Sequence, residues 1–373
     1  MIDPKAYWVG FNLVKGIRAA RTRTLLNHFG SLEIAWKADT QQLVEAGLGE
    51  RVIDNLLQVR RQVDLERIWG EIENKGITVI TVQEEAYPRK LKEIDLPPPV
   101  LFIRGEIRLD DDWAVGIVGT RRMTAYGRQV AEELAEFLAR YGVTVVSGLA
   151  RGVDAISHQA AIKAEGRTYA ILGCGVDVVY PPEHRKLAEE ITQHGALISE
   201  YPVGTAPNSN NFPPRNRIIS GLSQAVVVVE AGETSGALIT AAFAADQGKD
   251  VFAVPGYIHA LQSKGTNRLI RDGARPLLKV EDVLEVLNLE QIQEFRQARM
   301  EFPLDVSDKK VVDVLGEDSM HVDEIQVKSG MSIDKVSSTL VMMELKGIVR
   351  QTGGMSYMLV RERIAPYRLK NGI

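Results

Sequence analysis

Six short stretches of this chain are rich in small residues, hydroxyls or amides, and four of them add Arg or Lys, the mixture that grips phosphate. They are Gly119-Thr120-Arg121-Arg122; Ser147-Gly148 with Arg151; Gly173-Cys174-Gly175; Phe212-Pro213-Pro214-Arg215-Asn216-Arg217; Glu230 to Gly236, including Ser235; and Ser263-Lys264-Gly265-Thr266-Asn267-Arg268. Glycine lets backbone N–H groups approach an anion closely, side-chain hydroxyls and amides add donors, and a guanidinium grips phosphate oxygens with a rigid fork. A single Gly-Thr-Arg turn is an ordinary strand–helix connection. Arg215 or Arg217 alone reads as a surface charge or as the partner of a carboxylate. Several such stretches on one surface point instead to several phosphates, or to one phosphate inside a longer polyanion.

Other chemistry is hard to place. Histidines 28, 158, 184, 194, 259 and 321 show no HExxH or comparable ligand spacing, so no metal is expected. His158 reads as a hydrogen-bonded helix residue rather than an acid–base group. Asp154 and Asp177 read as helix caps or as partners of nearby arginines. Cys174 is the one cysteine, which precludes an intramolecular disulfide and fits a reducing cytosol; a structural thiol is expected, not a catalytic one. GIVGTRR stands where a dinucleotide fold carries GxGxxG, and the second strand ends in Ser147 rather than in an acidic residue for ribose. No GxxxxGK[ST] loop is present. Neither NAD nor ATP hydrolysis is supported, and no cofactor or catalytic residue is assigned.

The elements that must position these stretches follow from periodicity. Trp113 to Val118 reads as a buried strand, and Val130, Leu134, Phe137, Leu138 and Tyr141 recur at helical steps before Gly142. Strands are expected at 114–118, 143–146, 168–172, 196–199, 225–229, 250–254 and 276–278, alternating with helices. This is an α/β pattern with a parallel sheet, and right-handed crossovers gather its strand-to-helix loops along one rim. Around it, 1–75 reads as a small helical module whose Gly47-Leu48-Gly49 turn resembles a helix-hairpin-helix or sterile-alpha-motif unit. Residues 76–112 read as an extended strap in which prolines forbid helix and whose strands extend the sheet at one edge. The sheet domain spans 113–288, a polar linker 289–304, and a winged-helix-like domain 305–373, with a Ser332-capped third helix and a Gly353-Gly354 hairpin turn.

Composition narrows the partners. A net charge of −4 argues against a uniformly basic nucleic-acid binder but leaves room for a local basic cleft. No stretch is long and apolar enough to span a bilayer, and no secretory leader is visible, so a cytoplasmic protein is expected. The winged helix carries ten basic and ten acidic residues over 305–373. A recognition element that neutralises phosphates should be basic, so this domain is not expected to be the main DNA reader.

The stretches GIVGTRR, SGLARGVDAISH, ILGCGVDVVYPPEH, LISEYPVG, FPPRNRIISGLS, EAGETSGALITAAFAADQGKDVFAVPG and SKGTNRLIRDGA, in this order over about 160 residues, strongly resemble the DNA-processing protein A (DprA/Smf) family. The resemblance implies a Rossmann-like core that binds single-stranded DNA, not a dinucleotide, and has no catalytic residues. It implies a homodimer that protects incoming strands in natural transformation and competence. It further implies loading of the RecA recombinase, including on strands covered by single-strand-binding protein. Its binding residues map onto Gly119, Thr120 and Arg121 and onto Arg215, Asn216 and Arg217. Ser147, Gly148, Ser235, Gly236 and the Lys264, Thr266, Asn267 stretch map less directly. Arg122 and Arg151 join them from the rim argument, and Tyr180 and Phe212 are the nearest aromatics for base stacking. Dimer contacts are expected among Tyr257, Ile258, Leu261, Leu269 and Ile270. The competing reading is a nucleoside-monophosphate phosphoribohydrolase of the same superfamily. Its PGGxGTxxE loop should fall near 231–240, where this chain reads AGETSGALIT, with no glutamate on the first helical turn.

Overall fold

Runs of β-branched residues become strands buried on both faces. The computed structural model describes residues 2–108, 113–287, 306–315, 319–345 and 349–359. The expected linker at 289–304 lies outside them. One sheet is built from β1 (Thr78–Thr81), β2 (Val100–Gly105), β3 (Ala114–Val118), β4 (Thr144–Ser147), β5 (Thr168–Ile171), β6 (Gly195–Ser199), β7 (Ala225–Val228), β8 (Asp250–Ala253) and β9 (Arg275–Pro276). Their order is β1-β2-β6-β5-β4-β3-β7-β8-β9. From β6 to β9 every neighbouring pair is parallel. In β2, Val100 and Phe102 enter the apolar core on one face, while Leu101 and Ile103 enter the core on the other. Such double burial is what makes a strand read as a continuous apolar run.

The strap adds its strands as expected. β2 pairs antiparallel with β6, and β1 with β2. One expectation fails there: Arg89–Lys92 forms a single helical turn. Pro88 sits at its N-cap and the next proline is Pro97, so neither ring falls inside the turn. The outer edge of β1 is held by the first helix, Lys5–Leu13. Lys5 Nζ donates to the Val79 carbonyl at 3.0 Å and pairs with Glu84 at 2.7 Å.

Six helices occupy the first 75 residues, ending with Leu65–Asn74. Their apolar side chains, among them Phe11, Leu25, Leu43 and Leu56, belong to the same core as Val79, Phe102, Leu172 and Leu197 of the sheet. The chain up to residue 286 is accordingly one compact unit. At the Gly47-Leu48-Gly49 turn, Gly47 takes a positive φ of 83°, and the Gly47 and Leu48 amides donate to Val44 and Leu43.

The second unit has helices Val306–Val314, Val322–Ser329 and Ile333–Leu345 around Val311, Ile325, Val336, Leu340 and Met343. The Ser332 carbonyl receives the first helical hydrogen bond of the third helix, from Val336 N at 2.9 Å. Strands β10 (Met320–His321), β11 (Val349–Gly353) and β12 (Ser356–Leu359) form a sheet in the order β10-β12-β11. The hairpin turn is centred on Gly354-Met355, both at positive φ, one residue beyond the expected Gly353-Gly354. Two successive positive φ values match the right-handed twist of the flanking strands. Among the described residues no helix is long and apolar enough to cross a membrane.

Candidate nucleic-acid interface

The strand order reverses at β3: β4, β5 and β6 extend on one side, and β7, β8 and β9 on the other. Loops leaving β3 and β7 diverge there, which is where doubly wound sheets open a ligand crevice. Glu230, just after β7, occupies this one. Its carbonyl accepts from Thr120 N at 2.7 Å, and its carboxylate accepts from Thr124 N at 2.9 Å and the Thr124 hydroxyl at 2.6 Å. Thr124 caps the helix Ala125–Arg140 by accepting from Gly127 N. A Cβ on Gly127 would collide with the Glu230 carboxylate, so glycine is needed for the approach. A dinucleotide fold receives pyrophosphate at this helix start. Here the protein supplies the negative charge itself, which is a structural reason for the missing fingerprint.

Below the crevice lies a floor of buried polar groups. Phe212–Leu222 is a helix, where the sequence reading places 212–217 among the loops of the rim. Pro213 and Pro214 fall in its first turn, where no N–H is needed. The helix turns Arg215 inward, 4 % exposed, where it donates to the Ile171 carbonyl and lies 5.9 Å from the Phe212 ring. A Cβ on Gly148 would strike the Arg215 guanidinium and stand 2.8 Å from Asp154 Oδ2. Asp154 accepts from Gly148 N and Ala150 N. Burial pushes its carboxyl above the usual range, against the pull of Arg215 and those two amides. Ser147 is fully buried and donates to Ile117 O at 2.6 Å. Arg217 pairs with Glu200 at 2.7 Å, with the two side chains 17 % and 10 % exposed.

Two further groups in this floor are structural. Thr168 donates its hydroxyl proton to Val145 O, so His158 Nδ1, 2.6 Å from Thr168 Oγ1, must be the protonated ring nitrogen. Its Nε2 is buried without a partner among the described residues, and burial drives the imidazole pKa down to about 3, with His184 and Arg215 adding to the fall. Cys174 is buried and donates to Val178 O, and burial raises its thiol to about 11. Neither is suited to react near neutral pH. Asp177 holds Gly204 N and Lys75 rather than a rim arginine.

Above the floor is a lip. Gly119 packs against Val153, and Gly152, at φ +78°, lies against the Arg121 backbone, so the β3 and β4 loops touch. Arg121 and Arg122 are exposed, and no hydrogen bond or ion pair engages either guanidinium among the described residues. Arg151 is exposed and pairs with Glu183 at 2.5 Å. The Tyr180 and Phe212 rings stack at 5.7 Å with a 31° tilt, and Tyr180 is 36 % exposed. Asn216 donates to the Gly236 carbonyl at 3.3 Å, which joins the helix start to the Ser235-Gly236 turn.

The stretch from Lys264 is likewise helical, Lys264–Arg271, instead of a loop. Lys264 is exposed, 3.7 Å from Glu233. Thr266 is buried and donates to Ser263 O, while Asn267 binds both the N–H and the carbonyl of Gly256. Sequence reasoning placed Glu230 in a rim stretch without seeing its role, and missed a second organiser, Glu200. Each stands just past a strand end, and an acid following an apolar strand was the available signal.

Comparison with known proteins places these features in context. The model for DNA recombination-mediator protein A matches residues 78–288, and that for the DprA winged helix domain matches 296–355. Protein Smf of Synechocystis is 36 % identical, covering 95 % of this chain and 98 % of its own length. DNA processing protein DprA of Bacillus subtilis is 40 % identical over 69 % of this chain and 90 % of its own. Among solved structures, DNA processing protein A of Streptococcus pneumoniae has a TM-score of 0.67 at 30 % identity, covering 76 % of this chain and 98 % of that one. The Helicobacter pylori protein, described for its single-stranded DNA binding mode, has a TM-score of 0.52 at 31 % identity, covering 57 % and 96 %.

Proposed function

The chain belongs to the DNA recombination-mediator protein A (DprA/Smf) family, and from that premise we propose that its lip holds the backbone of single-stranded DNA without cleaving it. The observation that carries this reading is the pair of exposed guanidiniums, Arg121 and Arg122, that have no partner among the described residues. Arg217 and Arg151, by contrast, are engaged by Glu200 and Glu183. Phosphate contacts position a strand and carry little base information, so binding is sequence-tolerant. Tyr180, stacked on Phe212, offers a face on which a base can lie. A duplex buries its base faces and binds less well.

On the same reading the protein works in the cytoplasm. It shields incoming single strands during natural transformation and passes them to the RecA recombinase, including from strands covered by single-strand-binding protein. It acts as a homodimer. Tyr257, Ile258 and Leu261 are 72 %, 72 % and 68 % exposed and suit that contact, whereas Leu269 packs against the core. Two copies would present two lips to one strand and raise avidity through effective concentration. Base release from nucleotides finds no support, since the first turn of Ala237–Asp246 carries no glutamate.

A salt titration of affinity tests the reading. Arg121→Ala, Arg122→Ala is expected to keep the fold, weaken single-strand binding and flatten log K against log[salt] by roughly 0.7 for each phosphate the lip no longer holds. Unchanged affinity and slope would remove the lip as the site.

A further inference from the structure

We propose that the bound strand continues beyond the lip onto the first two helices, across a cationic face made by Lys15, Arg18, Arg21 and Arg23. This rests on the lip reading above and extends the site it describes. From Pro4 to Leu32 the chain carries five Lys or Arg and no Asp or Glu, in a protein whose net charge is −4. Lys5 is committed to Glu84. The other four are exposed, and none meets a carboxylate among the described residues. Arg18 donates to Asn12 O at 3.4 Å, Arg21 to Gly16 O, and Arg23 to Asp95 O at 3.1 Å. Backbone carbonyls orient these guanidiniums and leave their charge uncompensated. A face kept merely soluble interleaves both signs; this one does not.

Packing ties that face to the helix Phe212–Leu222, whose first residue carries one of the lip's aromatic rings. Arg23 reaches Asp95, and the preceding residue, Ile94, packs on Gly221 of the helix Phe212–Leu222. At the start of that helix the Tyr201 hydroxyl donates to Asn211 O at 3.2 Å. Burial and Glu200 push the Tyr201 phenol up to about 12, and Arg18 lies near enough to oppose them. Asn211 precedes Phe212, whose ring stacks on Tyr180. Cations therefore follow the aromatic pair. Arg18 is also the N-cap of Ala19–Phe29, a helix start with no capping side chain, so its partial positive charge adds to the same face. The ligand this recognises is the phosphodiester backbone, read for charge and not for base.

The experiment uses the full-length protein and two oligothymidylates of about 6 and about 20 nucleotides, chosen against the ~4–16 nucleotide site sizes of single-strand grooves. Lys15→Gln, Arg18→Gln is expected to bind the short strand as wild type does. It should bind the long strand several-fold more weakly, with a salt slope shallower by roughly 1.4 for two phosphates at ~0.7 each. The charge-preserving Lys15→Arg, Arg18→Lys variant is expected to restore both, and circular dichroism controls for folding. Wild-type affinity and slope for the long strand in the glutamine variant would overturn the proposal. If that variant is unaffected while Arg121→Ala, Arg122→Ala loses both strands, the lip stands and the extension falls. If the lip variant binds both strands normally, both readings fall.

Discussion

Arg121 and Arg217 are the same residue type on the same rim, and the structure gives them opposite situations. Arg121 stands in the lip, exposed and unpartnered; Arg217 lies in the floor, locked to Glu200 with both side chains largely buried. What separates them is a carboxylate. A guanidinium beside a buried acid is a structural strut, whereas one without a counter-charge keeps its full field for a ligand. Floor and lip should therefore fail in different ways.

The largest expected effect is in the floor. Arg217→Ala leaves Glu200 buried without its partner, which costs about 3–5 kcal/mol of stability. Urea unfolding should show this as a lowered midpoint, and Arg217→Met combined with Glu200→Leu should recover most of it, because an absent pair costs less than a lone buried charge. A midpoint unchanged in Arg217→Ala would erase the distinction between the layers.

Next comes an acid sensitivity that the lip does not share. The folded pKa of His158 lies near 3 against an ordinary 6.5, so the unfolded chain takes up a proton that the folded chain refuses. Its contribution to stability is intact above pH 6.5 and declines as pH falls toward 3, by about 1.4 kcal/mol per pH unit. Between pH 6.5 and 5 the loss should be about 2 kcal/mol, and His158→Gln should flatten that slope. A variant as acid-sensitive as wild type would assign the effect to other groups.

Smaller effects belong to the lip. Tyr180→Ala should cost about 1 kcal/mol of binding, the low end for an aromatic stacked with a base, with no change in thermal stability and similar losses for oligothymidylate and oligoadenylate. Equal affinity of variant and wild type would remove base stacking from the site. Smallest of all, removing 305–373 should leave single-strand affinity near wild type, since that domain's charge balances to zero; abolished binding would move the reader there.

Much of this architecture was legible in the chain because buried parallel strands write themselves as β-branched runs, and six of the seven expected strands from 114 to 254 and beyond fall within a residue or so of their observed limits. Boundaries were harder where one residue type serves two purposes. Pro213 and Pro214 open a helix, yet the same pair also marks loops, and Gly265 hides the start of Lys264–Arg271 in the same way. The rim arginines were identifiable as a group. Their division into floor and lip was not, because Glu200 and Arg217 are 17 positions apart and meet only after the sheet has formed. Glu230 was visible at the end of a strand, but its grip on Thr120 and Thr124, more than a hundred residues earlier, depends on β3 and β7 being neighbours.

The Lys5 bond to Val79 O has a consequence for how copies of this protein can meet. A nine-stranded sheet has two open edges, and an edge strand with free carbonyls invites a strand from another molecule. At one end Lys5 takes the Val79 carbonyl, and the Thr81 amide donates to Glu84. At the other, β9 is only two residues long and ends in a proline, which has no N–H to offer. Both margins are poor templates for a strand from another molecule. The homodimer proposed above would then form through side-chain surfaces such as the one bearing Tyr257 and Ile258, and not by extending the sheet.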